Sequence, residues 1–498
     1  MELQRTPGVE EPVVDTVKAL RVWNCAKVPK KAPSTLGQPS TFRDYQDKLR
    51  FFHFERPSLT DAHDIPLTLL HPIFGKFVDD CEKHVPTRED NLLAHGLQYT
   101  MSKIFSDESE RVHEFIELLR EHGIEARGSD IYNEGTTCRT DADIQVNGFR
   151  FVIIEFKNEI GANGSEPLLQ GIWYYQRSVS RGGEMRMQVA NYPNSSLPCL
   201  ILYAFGSFCP PPLTFPLMLL LILMPAGAHI GFSGAAYGKS PHIQVLSNPL
   251  PLFYHRNDTR LQLMAARHIG AFKNAIKSLR EYYENLPKPS NMGVNERAIC
   301  YPHPYPTQFE SLHDGPESIL HYTYKEKFTD KLVFEATLAD GDPICVKFVQ
   351  RYSREVHEEC IKLGCAPTLR GFEQLDGGWI MVVMDYLDGD HYRSFDDSHV
   401  SEELYASMHE VLEKLHQASL VHGDIRDVNT MVKNDDPSKF MLLDFDWAGR
   451  TDYARYPPNV NRSAELNRPE GAVDGELVRA EHDMAMLAVM FRKNLLCS

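Results

Sequence analysis

The chain has 498 residues, enough for two or three domains with cores of their own. Its 52 Lys and Arg against 68 Asp and Glu leave a net charge of -16, which excludes a globally basic nucleic-acid surface but not a local patch. The ten cysteines show neither a CxxC pair nor metal-ligand spacing and read as reduced thiols, and the opening MELQRTPGVEEPVVD lacks the apolar core of a secretory signal, so the expectation is an intracellular protein, cytoplasmic or nuclear.

Residues 1–60, punctuated by Pro7, Pro12, Pro29, Pro33 and Pro39, read as a mobile N-terminal arm. A domain is expected over 61–290. Its first clear element is an amphipathic helix with Val112, Phe115, Ile116 and Leu119 on one face, capped by Ser106 or Ser109 and ended by Gly123. TDADIQVNGFRFVIIEFKNEIG then predicts a β-hairpin: Ile144 to Val146, a turn at Asn147-Gly148, and Phe149 to Phe156. Glu155 and Lys157 are two residues apart and share a face of the second strand, and the hairpin can bring Asp143 beside them, with Asp141 as a rival. Two carboxylates to hold a divalent ion, Mg²⁺ or Mn²⁺, and a lysine to polarise water and phosphate are what metal-assisted phosphodiester hydrolysis needs. The plain alternative is a surface Glu–Lys ion pair. Further on, LLQGIWYYQ places Gln170 and Tyr174 one helical turn apart.

These residues resemble the PD-(D/E)XK restriction-endonuclease-like superfamily, some branches of which carry a Q-x-x-x-Y helix. The resemblance implies Asp143 and Glu155 as metal ligands, Lys157 as a catalytic residue, a contribution from Gln170 and Tyr174, and nucleic acid as a partner. CLILYAF and HIGFSGAAYGKSPHIQVLSN read as further core strands. Between them, residues 207–225 form an apolar insertion whose run from Leu217 to Met224 falls far short of the ~20 residues a membrane helix needs; no membrane contact is expected. The helix NDTRLQLMAARHIGAFKNAIKSLREYYENL turns Arg260, Arg267, Lys273, Lys277 and Arg280 outward, a solvated face in preference to a nucleic-acid-binding one. Residues 291–315 read as a proline-rich linker.

The most informative stretch comes last. HGDIRDVN (422–429) sets Asp424 and Asn429 five residues apart, and LLDFDWAG (442–449) sets Asp444 at the end of an apolar strand. A helix capped by Ser401, with Leu404, Met408, Val411, Leu412 and Leu415 at helical spacing, precedes them. Upstream, ICVKFV offers Lys347 on a strand, REVHEECIKLG offers Glu355 on a helix as its partner, and MVVMDYLDG reads as a buried strand leading to backbone groups of Asp385 and Leu387.

The ordered set resembles the protein-kinase-like superfamily over 316–498. The resemblance implies a two-lobed fold with a short C-lobe; Asp424 as the base; Asn429 and Asp444 as metal ligands; Lys347 paired with Glu355; Arg426 near the γ-phosphate; and adenine at Asp385 and Leu387. It implies ATP and Mg²⁺ (or Mn²⁺) as cofactors and a protein substrate. Two departures stand out: no glycine lies between Ile319 and Leu338, where a Gly-rich phosphate loop belongs, and Gly423 stands where many protein kinases carry arginine. EHDMAMLAVMF resembles the later aspartate-bearing helix, with Asp483 as its structural acid.

The whole is therefore expected to be a multidomain α/β and α+β chain, a PD-(D/E)XK-like domain followed by a kinase-like one. It is similar in this to Crinkler-type nuclease–kinase fusions and related fungal kinase-like families. The expected function is an ATP-dependent phosphotransferase acting on Ser/Thr. The alternatives are a pseudokinase and pseudonuclease serving as an interaction module, or a metal-dependent nuclease as the main activity.

Overall fold

A computed structural model describes residues 17–49, 52–54, 65–103, 105–133, 136–157, 165–182, 185–186, 188–192, 195–205, 228–238, 240–287, 303–315, 317–328, 331–395, 401–464 and 466–495. The apolar insertion at 207–225 lies outside them. The chain divides into two compact units, residues 1–305 and 306–498.

In the first unit, α1 (Val17–Ala26), α2 (Pro33–Leu36) and α3 (Pro39–Leu49) lead to a short strand β1 (His53–Phe54), followed by α4 (Leu67–Leu70), α5 (Pro72–Lys83), α6 (Arg88–Met101) and α7 (Glu108–Glu121). Two hairpins come next, β2 (Asp130–Asn133) with β3 (Thr136–Arg139) and β4 (Ala142–Val146) with β5 (Phe149–Lys157). The remainder is α8 (Pro167–Ser180), β6 (Arg181–Gly182), β7 (Met185–Arg186), α9 (Gln188–Asn191), β8 (Cys199–Phe205), β9 (His229–Tyr237), β10 (Pro241–Val245), β11 (Leu250–Pro251) and α10 (Thr259–Glu284). The main sheet runs β1-β10-β9-β8-β5-β4, with β11 on β9. β5 and β8 are parallel, joined through α8, whereas β4 meets β5 antiparallel.

The hairpin turns where expected, with Asn147 and Gly148 at φ 50° and 80°, values that a two-residue hairpin demands and that Asn and Gly tolerate. β5 is buried almost throughout, because helices cover it and leave no solvated face. α8 is itself buried all round, so something must cover its outer side. The N-terminal helices do so: Trp173 donates to the carbonyl of Leu36 at 3.1 Å and meets Phe52 edge-on at 4.8 Å. Arg21 is buried and donates to the carbonyls of Val189, Tyr192, Ser195 and Tyr237. Residues 17–49, read from the sequence as part of a mobile arm, are thus folded into this unit. Prolines in that stretch start the helices instead of preventing them: Pro33 and Pro39 are first residues, where the missing N–H costs nothing. The cap of α7 also differs from the expectation, Asp107 and not a serine accepting from the Glu110 N–H at 2.9 Å.

The second unit opens with β12 (Gln308–Glu310), β13 (Ile319–Lys327), β14 (Val333–Leu338) and β15 (Pro343–Val349), then α11 (Arg354–Lys362), β16 (Leu369–Leu375) and β17 (Trp379–Asp385). These strands form one antiparallel sheet in the order β12-β13-β14-β15-β17-β16. Phe309 on β12 is fully buried, so this end of the proposed linker belongs to the sheet. After β18 (Tyr392–Ser394) come α12 (Glu402–Gln417), β19 (Leu420–Val421), β20 (Thr430–Lys433), β21 (Phe440–Leu442), β22 (Gly449–Arg450) and α13 (Ala480–Leu495). The apolar stripe of α12 meets α13, β20 and β21 in one core that includes Leu404, Met408, Leu412, Leu415, Phe445 and Leu487. Ser401 caps α12, accepting from the Leu404 N–H at 3.1 Å. Among the described residues no helix is long and apolar enough to cross a membrane.

Candidate active site

Alternation along β15 turns Val346 and Phe348 to one face and Lys347 to the other. Lys347 is 8 % exposed at its side chain, and its Nζ lies 2.6 Å from both Asp444 Oδ1 and Asp446 Oδ1. Burial alone would drive the ammonium toward its neutral form; Asp446 and Asp444 reverse this and raise its pKa. Asp444 accepts a second ammonium, Lys331 Nζ at 2.7 Å on Oδ2. Burial opposes its charge, and the two lysines overcome that and hold its carboxyl below the ordinary range. Asp446 moves the other way, raised first by burial, with Lys347 opposing and the Asp444 charge adding. Asp444 adopts φ 69°, a left-handed conformation rarely held by a residue with a side chain and tolerated best by Asp, Asn and His.

Glu355 does not take part. It sits in the first turn of α11, half exposed, and pairs with Arg450 at 2.6 Å. The expectation of a Lys347–Glu355 pair is corrected to Lys347–Asp446, and the reason is the face of α11. The side of that helix turned inward carries Val356, His357 and Cys360; His357 stacks on Phe445 with ring centroids 4.5 Å apart and bonds the Pro367 carbonyl at 2.8 Å. Asp446 was legible as an extra acid two residues after Asp444, but nothing in the spacing marked it as the partner of a lysine 99 residues earlier.

Asp424 and Asn429 are buried in the loop after β19. Asn429 Nδ2 donates to the Asp424 carbonyl at 3.0 Å and to Asp424 Oδ2 at 2.8 Å. Its Oδ1 is buried and meets no donor among the described residues, which leaves a carbonyl oxygen of the kind a hard cation takes. Arg426 reaches Asp424 Oδ2 at 2.9 Å. Asp424 Oδ1 accepts from Arg468 at 2.6 Å, both side chains almost wholly buried, with the guanidinium 4.7 Å from the Trp447 ring. Arg468, between β22 and α13 in the sequence, had no marker there.

The loop is held from below by Asp483 of α13, whose carboxylate accepts the backbone N–H groups of His422 at 2.9 Å and Gly423 at 2.8 Å. Gly423 sits at φ 84°, and a Cβ there would come within 3.0 Å of Val478 and 3.2 Å of the Trp447 carbonyl, so an arginine at this position would strain the loop. At the end of β17, Asp385 and Leu387 are partly buried; the Asp385 N–H is bonded to the Thr368 carbonyl at 3.0 Å and its carboxylate to Arg370.

In the first unit, Glu155 is fully buried on β5, with Lys157 Nζ 3.6 Å from its Oε1 and 3.2 Å from Glu108 Oε1 at the start of α7. Gln170 donates to Glu155 Oε1 and, at 3.2 Å, to the Tyr174 hydroxyl, which itself donates to the Arg139 carbonyl at 2.7 Å. Glu155 Oε2 is buried without a donor among the described residues. Its pKa is raised well above the ordinary value, by burial first and by the charge of Asp141. Asp141 is raised as well, again by burial first.

Asp143 is not in this group. Its carboxylate accepts from Ser129, Thr140 and Gln145, and Arg150 lies 3.4 Å away. The register explains why: Asp143 pairs with Ile153 and Ala142 with Ile154, so one step further Asp141 stands opposite Glu155. The assignment of Asp143 beside Glu155 is therefore corrected to Asp141. Glu108 came from a different helix and had no motif to reveal it. Among the described residues no three His, Cys, Asp or Glu side chains converge tightly enough to form a ready-made metal site.

No family model matches the chain, and no curated protein does. Two solved structures that share a partial likeness are described as kinases. The structure of vaccinia related kinase 3 is 18 % identical with a TM-score of 0.28, over 37 % of this chain and 68 % of that one. The Cydia pomonella Granulovirus kinase, PK-1, is 16 % identical with a TM-score of 0.27, over 33 % of this chain and 64 % of that one, less than two thirds of its length.

Proposed function

We propose that residues 306–498 form a metal-dependent ATP phosphotransferase of the protein-kinase-like type, acting on a protein hydroxyl, Ser or Thr. The observation that carries this is convergence: Lys347 and Asp444, 97 residues apart, meet at 2.6 Å, and Asp424 and Asn429 meet in one buried loop. Bound ATP with Mg²⁺ (or Mn²⁺) would supply the activated phosphoryl group and neutralise its charge. The orphaned Asn429 Oδ1 and the Asp444 carboxylate suit the metal. Lys347, anchored by Asp446, presents a buried ammonium toward phosphate, and Arg426 adds a second cation beside Asp424. Asp424 orients the acceptor hydroxyl and takes its proton. Backbone groups at Asp385 and Leu387 bound the adenine end.

Radiolabelled transfer from ATP by the purified full-length protein is the test. Asp424→Asn is expected to lower the rate on the order of a thousandfold with ATP binding kept, since an amide cannot take the proton of the acceptor hydroxyl. Equal rates in wild type and variant would refute the assignment.

For the first unit the same reasoning favours a metal-dependent nuclease-like site of the PD-(D/E)XK type, with Glu155 and Asp141 as carboxylates, Lys157 as the cation and Gln170 and Tyr174 behind them. The buried, donor-less Glu155 Oε2 motivates this reading. Its partner would be nucleic acid, and the combination of the two units is what the likeness to Crinkler-type fusions rests on.

A further inference from the structure

We infer that Lys331 is a phosphate-gripping residue of the kinase-like site, replacing with one side-chain cation the backbone N–H groups that a glycine-rich loop would supply. The inference rests on the reading of Asp444 as a metal ligand.

β13 and β14 form a hairpin in which Lys327 pairs with Phe334 and the Phe328 N–H bonds the Val333 carbonyl at 2.9 Å, so Lys331 lies in the sequence that connects them. No glycine occurs from Leu320 to Leu338. A phosphate cradle of successive backbone N–H groups needs left-handed residues, which glycine provides and bulky residues resist. This hairpin therefore lacks the usual means of holding a polyphosphate, and what it carries instead is an ammonium at the site: Lys331 Nζ is 2.7 Å from Asp444 Oδ2.

The two lysines on Asp444 are not equivalent. Lys347 is 8 % exposed and held by a second carboxylate, Asp446. Lys331 is 49 % exposed, on a flexible stem, and the ion pair it makes among the described residues is with Asp444. Both carboxylate oxygens of Asp444 are thus occupied by ammonium groups that a divalent ion would have to replace. Lys331 is the one free to leave, and the nearest destination for its charge is the polyphosphate that arrives with the metal. Lys331 then has two opposed effects, competing with a metal on its own and assisting a metal bound with nucleotide.

That opposition makes the test specific. Full-length wild type, Lys331→Ala and Lys331→Arg are titrated calorimetrically with MgATP, with adenosine and with Mn²⁺ alone, using Asp444→Ala to subtract binding elsewhere on the chain. Lys331→Ala is expected to bind MgATP about tenfold more weakly, adenosine equally, and Mn²⁺ alone about two- to threefold more tightly. Lys331→Arg restores MgATP binding. Because the side chain is half exposed, loss of the fold is not expected, and the adenosine titration reports it if it occurs. The inference is overturned if Lys331→Ala matches wild type on MgATP, loses adenosine in proportion, or binds Mn²⁺ no more tightly. Wild type that binds adenosine but not MgATP, or neither, overturns the kinase-like reading and this inference with it.

Discussion

The two sites solve opposite electrostatic problems. In the second unit each buried charge of the site lies against opposite charge: Lys347 between the partly buried Asp444 and Asp446, and Asp424 against the buried Arg468 and the partly buried Arg426. In the first unit the carboxylates of Glu108, Asp141 and Glu155 share Lys157, and the result is a fully buried Glu155 whose pKa climbs far above its usual value. A balanced site is stable as it stands and must exchange partners to work, whereas an acid-rich one carries an uncompensated cost that a cation would relieve.

The largest effect should come from breaking the balance. Arg468→Met leaves the Asp424 carboxylate buried without its closest cation and should destabilise the second unit by about 3–5 kcal/mol in urea unfolding. A loss below about 1 kcal/mol would mean that Arg426 and Asn429 satisfy Asp424 by themselves. Next comes the anchor of Lys347. Asp446→Ala should cost about 10- to 100-fold in phosphotransfer, while Glu355→Ala, which breaks an exposed pair with Arg450, should stay within about twofold. The reverse ranking would restore Glu355 as the lysine's partner.

The smallest effect sharpens the other side of the comparison. The folded-state pKa of Glu155 is raised, so its contribution to stability is fully present below its ordinary value of 4.5 and is lost as pH rises through the folded value. Glu155→Gln, which keeps an acceptor for Gln170, should therefore melt higher than wild type at pH 7 without metal, and the gap should close toward pH 4. Adding Mn²⁺ should raise the melting temperature of wild type and not of the variant. A variant that melts lower at pH 7 would show that Glu155 is already compensated and that this site is as balanced as the other.

Local chemistry made much of this legible. The hairpin at Asn147-Gly148, the Ser401 cap, the alternation that isolates Lys347 and the five-residue spacing of Asp424 and Asn429 all follow from interactions within a few residues, and a single sequence contains them. Partner choice does not follow from spacing. Whether Asp141 or Asp143 faces Glu155 depends on a register set across the β4–β5 pair, and whether Lys347 meets Glu355 or Asp446 depends on which side of α11 packs inward. Arg468 and Glu108 reach their sites from a loop and a helix that no motif joins to them. The sequence by itself determined which side chains could carry charge into each site; only the tertiary structure decided which charges cancel, because a buried ion takes its partner from whatever the packing of distant elements brings within about 3–4 Å.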